Sequence, residues 1–147
     1  MKELDLIIIR EVYRLLNIDL DAPVLNAYIL FVQTADAVQK YADTCFHKRV
    51  GLSSIKFIVL QILAVNGGIM TPFQIARWTL RERHNITTLV ARMQQDGLVR
   101  AQRNTGDRRF INIVLTDKGQ EMLKQAVPVA REIVNQIMSS FDEKDAA

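Results

Sequence analysis

Cysteine, histidine, proline and glycine are all scarce in this chain, and each scarcity excludes something. Its 147 residues include one cysteine, Cys45, two histidines, three prolines and six glycines. A single thiol rules out an internal disulfide framework and fits a reducing compartment. Cys and His at metal-cage spacing, a glycine-rich phosphate loop and a nucleophile paired with a base are all missing, so neither an enzyme nor a bound cofactor or metal is expected. Long apolar runs are missing too. The opening stretch, MKELDLIIIREVYRLL, places Glu3 and Asp5 before a short apolar run that Arg10 and Glu11 interrupt. It supports neither a signal peptide nor a membrane span, and the chain reads as cytoplasmic.

What is present is an ordinary globular composition, 49% hydrophobic and 24% charged. At this length a single domain buries roughly 70% of its unfolded surface and needs no covalent staple. The net charge of +3 is small but unevenly placed. Between Arg77 and Arg109 stand eight arginines, no lysine, and only Glu82, Asp96 and Asp107 as acids, so the rest of the chain is slightly acidic. Arginine makes forked contacts to phosphate oxygens and guanine edges, although a solvated basic face gives the same count.

Periodicity is mostly helical. Leu4, Ile7, Ile8, Val12, Leu15 and Leu16 recur at spacings of three and four. Asp21 and Pro23 open a second helix, expected from Ala22 to Phe46, with Leu25, Tyr28, Val32, Ala35 and Ala42 on one stripe. Ser53 or Ser54 can cap SIKFIVLQILAV, which ends at Asn66 and Gly67. Thr71, Pro72 and Gln74 are cap, first-turn proline and capping-box partner of a short helix interrupted at Thr79 to Glu82. Ile86, Leu89, Val90 and Met93 pattern the next, which stops at Asp96 and Gly97. From Leu98 to Leu115 the period becomes that of strands, LVRAQR and FINIVL, around the turn NTGD. Thr116 caps a last apolar-faced helix running toward Phe141; Pro128 inside it predicts a kink or two successive helices.

Three helices followed by a two-stranded ribbon, with apolar helices at both ends, make a winged helix-turn-helix: mainly α with a small β-ribbon. The expected organisation is one compact chain. Its N-terminal helices are at 1–50, the DNA-binding lobe at 51–116 with its wing at 98–115, and the C-terminal helix or helices at 117–147. In such a unit the second helix of the pair enters the major groove and the ribbon reaches the minor groove or backbone. Asn104, Gly106 and Asp107 suffice for the turn, so Arg108 and Arg109 are extra to it, at a tip that can reach phosphates or a narrow minor groove.

The segments LSSIKFIVLQIL, TPFQIARW, ITTLVARMQQDGLV and, above all, GDRRFINIVLTDKG resemble the MarR family of bacterial transcriptional regulators. The resemblance covers Leu52 to Leu123 and implies a homodimer built by the terminal helices. It further implies a repressor on a pseudo-palindromic site of double-stranded DNA, and a small aromatic or phenolic effector. By position, it implies that Asp107 braces the wing by pairing with an arginine of the same loop, that Arg109 enters the minor groove, and that Arg108 touches phosphate or assists Arg109. Arg83, His84, Asn85, Thr87 and Thr88 would lie on the exposed half of the recognition helix. Thr71 and Gln74 begin the helix before it, where a phosphate is favoured. Arg81 and Glu82 depart from the Leu-Ser pair of many relatives, which shifts the expected helix start by a residue or two.

Several residues carry two readings. Asn85 and Arg83 suit adenine and guanine edges, or a plain helix surface. Arg92 suits a phosphate or an intramolecular salt bridge, and His84 a polar surface ahead of DNA contact. Cys45 reads as a buried, inert thiol ahead of a redox switch. Trp78 and Tyr28 read as core packing ahead of a ligand cavity. Set against DNA binding as a whole is a winged-helix module that binds protein, against which the basic stretch argues.

Overall fold

The computed structural model describes residues 23–103 and 111–139. The first expected helix, the wing tip with Asp107, Arg108 and Arg109, and Phe141 lie outside the described residues. The elements are α1 (Pro23–Val50), α2 (Ser54–Val65), β1 (Ile69–Met70), α3 (Pro72–Thr79), α4 (Arg83–Gln95), β2 (Val99–Arg103), β3 (Ile111–Leu115) and α5 (Asp117–Ser139). Contacts divide the chain into two units, Met1–Gln39 and Lys40–Ala147.

In the first unit the described part of α1 exposes Tyr28, Leu30 and Phe31. Tyr28 is therefore not a core residue: it lies on an apolar stripe but is itself 64% exposed.

The second unit holds the core, in which Leu52, Leu60, Leu63, Ile75, Ile86 and Met93 are fully buried, with Ala126, Val129 and Ile133 entering from α5. α1 runs four residues past the expected Phe46. His47, Lys48 and Arg49 fill its last turn, where cations oppose the helix dipole favourably. Phe46 stacks on Phe57 of α2, with ring centroids 4.8 Å apart. The start of α2 is capped from a distance. Ser53 makes no side-chain cap bond. Instead Asp43 Oδ1 of α1 accepts both the N–H (2.8 Å) and the hydroxyl (2.6 Å) of Ser54, which is only 4% exposed. A buried hydroxyl needs such a partner.

The ribbon is part of a three-stranded antiparallel sheet of order β1-β3-β2. Ile69 pairs with Val114 and Met70 with Ile113, while Val99 pairs with Leu115 and Arg103 with Ile111. The sequence reading missed β1, because two residues carry no alternation.

Pro128 does not divide the last helix: α5 is one helix from Asp117 to Ser139. Proline withdraws one N–H, from the carbonyl four residues back. Lys124 and Pro128 are both exposed, so water can serve that carbonyl. Thr116 caps α5 as expected, its hydroxyl accepting from Gly119 N–H at 3.0 Å. α5 is tied to the end of α1 by Arg49–Glu132 (2.6 Å) and by Tyr41, whose hydroxyl donates to Gln136 Oε1 at 2.5 Å. Cys45 is half-buried rather than buried, and its thiol hydrogen-bonds with Tyr41, raising the phenol above its ordinary pKa. Among the described residues no helix is long and apolar enough to cross a membrane, and no three His, Cys, Asp or Glu side chains group as a metal site.

Candidate nucleic-acid interface

α4 has thirteen residues and buries one stripe, Ile86, Val90 and Met93. These sit at spacings of four and three, so Arg83, His84, Asn85, Thr87, Thr88 and Arg92 fall on its exposed side. All six are candidates named from sequence, and one helix brings them together. The two threonines differ from simple donors. Thr87 donates its hydroxyl to Arg83 O (3.1 Å) and Thr88 to His84 O (3.3 Å), one turn back. What they offer outward is a methyl group and an acceptor oxygen, which suit a thymine methyl or a base amino group.

The first turn of α4 is chemically open. Its cap residue, Glu82, makes no side-chain bond, and no acid occupies the turn. Glu82 O receives Asn85 N–H (3.1 Å) and Ile86 N–H (3.3 Å), leaving the N–H groups of Arg83 and His84 without a capping side chain. Unspent donors at the positive end of a helix favour an anion.

Its far end is closed by several bonds. Gly97, at φ 72°, turns the chain so that Leu98 N–H reaches Met93 O (2.9 Å). A left-handed φ is open to glycine at little cost. Lys56 of α2 pairs with Asp96 (2.6 Å), and Lys118 of α5 donates to Asp96 O (2.7 Å). Thr116 shares its hydroxyl proton between Gly97 O (2.7 Å) and Leu98 O (2.9 Å). Gly119 lies so close that an added Cβ would stand 2.1 Å from Leu98 O.

α3 opens with the capping box expected from sequence. Gln74 N–H donates to Thr71 Oγ1 (3.3 Å), and Thr71 N–H donates to Gln74 Oε1 (2.8 Å). The box spends two donors that the sequence reading offered to a phosphate. With Pro72 lacking an N–H, Phe73 N–H is the one left for an anion in that turn.

The turn between α3 and α4 held a surprise. Leu80 adopts φ 52°, ψ 37°, the left-handed conformation usual for glycine, and Arg81 N–H closes the turn on Ala76 O at 3.1 Å. For leucine that conformation costs about 1 kcal/mol. Trp78, expected in the core, is 60% exposed. An eight-residue helix that buries Ile75 and Ala76 turns Trp78 away from the core. Arg81, which sequence reasoning noted only as a departure, joins Asn85, Thr88, Leu89, Arg92 and Ile55 around an open cleft of about 370 Å³. Among the described residues Arg92 forms no ion pair, so the salt-bridge reading has no partner there.

Comparison with known proteins agrees with this geometry. Residues 50–109 match the family model described as MarR family. The chain is 29% identical over 122 residues to the HTH-type transcriptional regulator PecS of Dickeya dadantii, covering 80% of this chain and 74% of that protein. It is 25% identical over 128 residues to the HTH-type transcriptional repressor YetL of Bacillus subtilis, covering 86% and 76%. Among solved structures, the M. tuberculosis transcriptional regulator MOSR in complex with DNA superposes with a TM-score of 0.67 at 27% identity, over 78% of this chain and 81% of that one. The three-helix lobe, its β-ribbon and these relatives make the chain similar to the MarR family of winged helix-turn-helix proteins, and they support a DNA-binding transcriptional regulator rather than an enzyme.

Proposed function

We propose that the chain is a cytoplasmic, homodimeric, sequence-specific regulator that represses from a pseudo-palindromic operator. The observation that carries this reading is the asymmetry of α4. Its N-terminal half offers Arg83, His84, Asn85 and two unspent N–H groups, while its C-terminal end is locked to α2 and α5. Such a helix enters the major groove by its open end and is aimed by its closed one. Arg83 and Asn85 read base edges, Thr87 and Thr88 offer methyls, and Arg92 and the turn of Thr71 and Gln74 meet phosphates. From the wing, Arg108 takes phosphate and Arg109 the minor groove, with Asp107 bracing the loop. Dimerisation is supported by the apolar residues a single chain leaves exposed: Tyr28, Leu30 and Phe31 on α1, and Val127, Val134 and Met138 on α5. A two-fold dimer presents its recognition helices about one helical turn of DNA apart. A small aromatic or phenolic anion that binds one spacing of the two helices better than the other releases the DNA by population shift.

Fluorescence anisotropy against the DNA upstream of the chain's own gene, with random competitor at several salt concentrations, tests the reading. Binding that survives competitor and leaves a two-fold-symmetric footprint is expected. Arg109→Ala then weakens all duplexes and flattens the salt slope, whereas Asn85→Ala mainly erodes discrimination. Binding with no sequence preference to any duplex would defeat the proposal, and a monomer on the footprinted site would defeat its dimeric part.

A further inference from the structure

The outer face of α3 carries chemistry that the recognition helix does not need. Gln74, Arg77 and Trp78, with Leu80 just beyond the helix, border a surface cleft. The polar ends they leave unspent are donors. Gln74 gives its Oε1 to Thr71, whose N–H and hydroxyl both donate to it (2.8 and 3.1 Å), so the amide NH2 is the end that remains. Arg77 adds a guanidinium that forms no ion pair among the described residues, and Trp78 an indole N–H. From Ile69 to Arg81 there is no Asp or Glu. The apolar part is as pronounced: a 60% exposed indole beside a leucine that is 93% exposed in a backbone conformation glycine would hold more easily.

A face with donors, positive charge and flat apolar surface, and without carboxylates, is complementary to a partner that has acceptors, negative charge and small apolar faces in alternation. The sugar-phosphate backbone is such a partner: its phosphate oxygens only accept, and its deoxyriboses are apolar. Position argues the same way. The strip starts at the Thr71–Gln74 turn and ends at Arg81 and Arg83, where α4 begins, so it is continuous with the surface that enters the groove.

We propose that Gln74, Arg77, Trp78 and Leu80 seat the DNA backbone flanking each half-site, with Arg77 on phosphate oxygens and the indole and Leu80 against deoxyribose. The proposal rests on the DNA-binding reading and extends its backbone footprint from the Thr71–Gln74 turn along α3 to Arg77, Trp78 and Leu80. The competing occupant is an acidic, apolar segment of a protein partner.

Trp78 is the chain's one tryptophan, so indole emission reports this face alone. The test titrates the full chain with a fluorescein-labelled duplex carrying the footprinted site. DNA anisotropy, indole emission and acrylamide quenching are read together. Emission should change in step with anisotropy, and roughly half of the acrylamide accessibility should disappear as the face loses solvent. Arg77→Ala should weaken binding roughly tenfold and lower the salt slope by about one. Trp78→Phe, checked to melt as the wild type does, should weaken it less. Both effects should vanish on a duplex trimmed of its flanks. Rising anisotropy with unchanged emission and unchanged acrylamide access would overturn the proposal and leave the face to a protein partner. No anisotropy change with any duplex would instead overturn the regulator reading, and this proposal with it.

Discussion

The two ends of α4 solve the same problem in opposite ways. Both must deal with backbone groups that the helix cannot satisfy by itself. At the C-terminal end every solution is internal: with Gly97 in the left-handed region, the N–H groups of Gly97 and Leu98 return to Gln94 O and Met93 O, Lys118 from the start of α5 takes Asp96 O, and Lys56 of α2 holds the Asp96 side chain. At the N-terminal end the cap is a glutamate that bonds nothing through its side chain, followed at once by Arg83. An arginine in the first turn is disfavoured by the helix dipole, and Glu82 is not a strong capping residue. Stability alone would correct both. The difference shows where the lobe is built for itself and where it is built for something outside.

Substitutions at the closed end should produce the largest effects. Gly119→Ala would bring a methyl group to 2.1 Å from Leu98 O and 2.8 Å from Leu115 Cδ1. Backbone must move, and a loss of about 3 kcal/mol or more is expected in chemical denaturation. A loss under about 1 kcal/mol would mean that the end of α4 is not held as tightly as the contact implies. Gly97→Ala meets only the flexible Lys118 side chain, at 3.5 Å, so its cost is conformational, about 1 kcal/mol. Leu80→Gly is its mirror image. Relief of left-handed strain and the added freedom of the unfolded chain nearly cancel, and stability should stay within about 1 kcal/mol of wild type.

Substitution at the open end should change the sign of the effect. Glu82→Ser supplies the missing cap and should stabilise by about 1 kcal/mol, while removing a negative charge beside the DNA face. A raised melting temperature together with tighter non-specific DNA binding is the expected pair of results. A fall in melting temperature would show that Glu82 has a structural role after all.

The smallest effect concerns acid. Hydrogen bonding and charge from Arg49 hold the Glu132 carboxyl below its ordinary pKa. A depressed carboxyl contributes stability that is present above its unfolded pKa and is lost as pH falls through the folded one. Both partners are largely exposed, so the wild type should lose only slightly more melting temperature on acidification than Glu132→Gln. An identical loss in the two proteins would remove the pair from the account.

Features encoded within four residues were readable in the sequence. The Thr71–Gln74 box and the Thr116 cap each need only a residue type at a fixed offset, and both formed as expected. The apolar stripe of α4 was readable for the same reason. What was not readable depends on distant partners. β1 exists because Ile69 and Met70 find β3 more than forty residues away, and Asp43 caps a helix on which it does not lie. Trp78 was misplaced because an aromatic at helical spacing suggests core, yet a helix of eight residues has room to bury only one narrow side. The arginines of the wing were singled out by what the turn did not require, an argument from chemistry that involves no fold at all.

The bond from Asp43 to Ser54 also sets a rule for how this chain can change. The capping carboxylate and the helix it starts are joined by a loop of three residues, Gly51, Leu52 and Ser53, with Leu52 itself in the core. A residue inserted there would carry Ser54 away from its acceptor and Leu52 out of its pocket together. Connections between helices are ordinarily where length drifts most freely. In this protein the α1–α2 joint is a fixed-length part, and variation in chain length must be sought elsewhere.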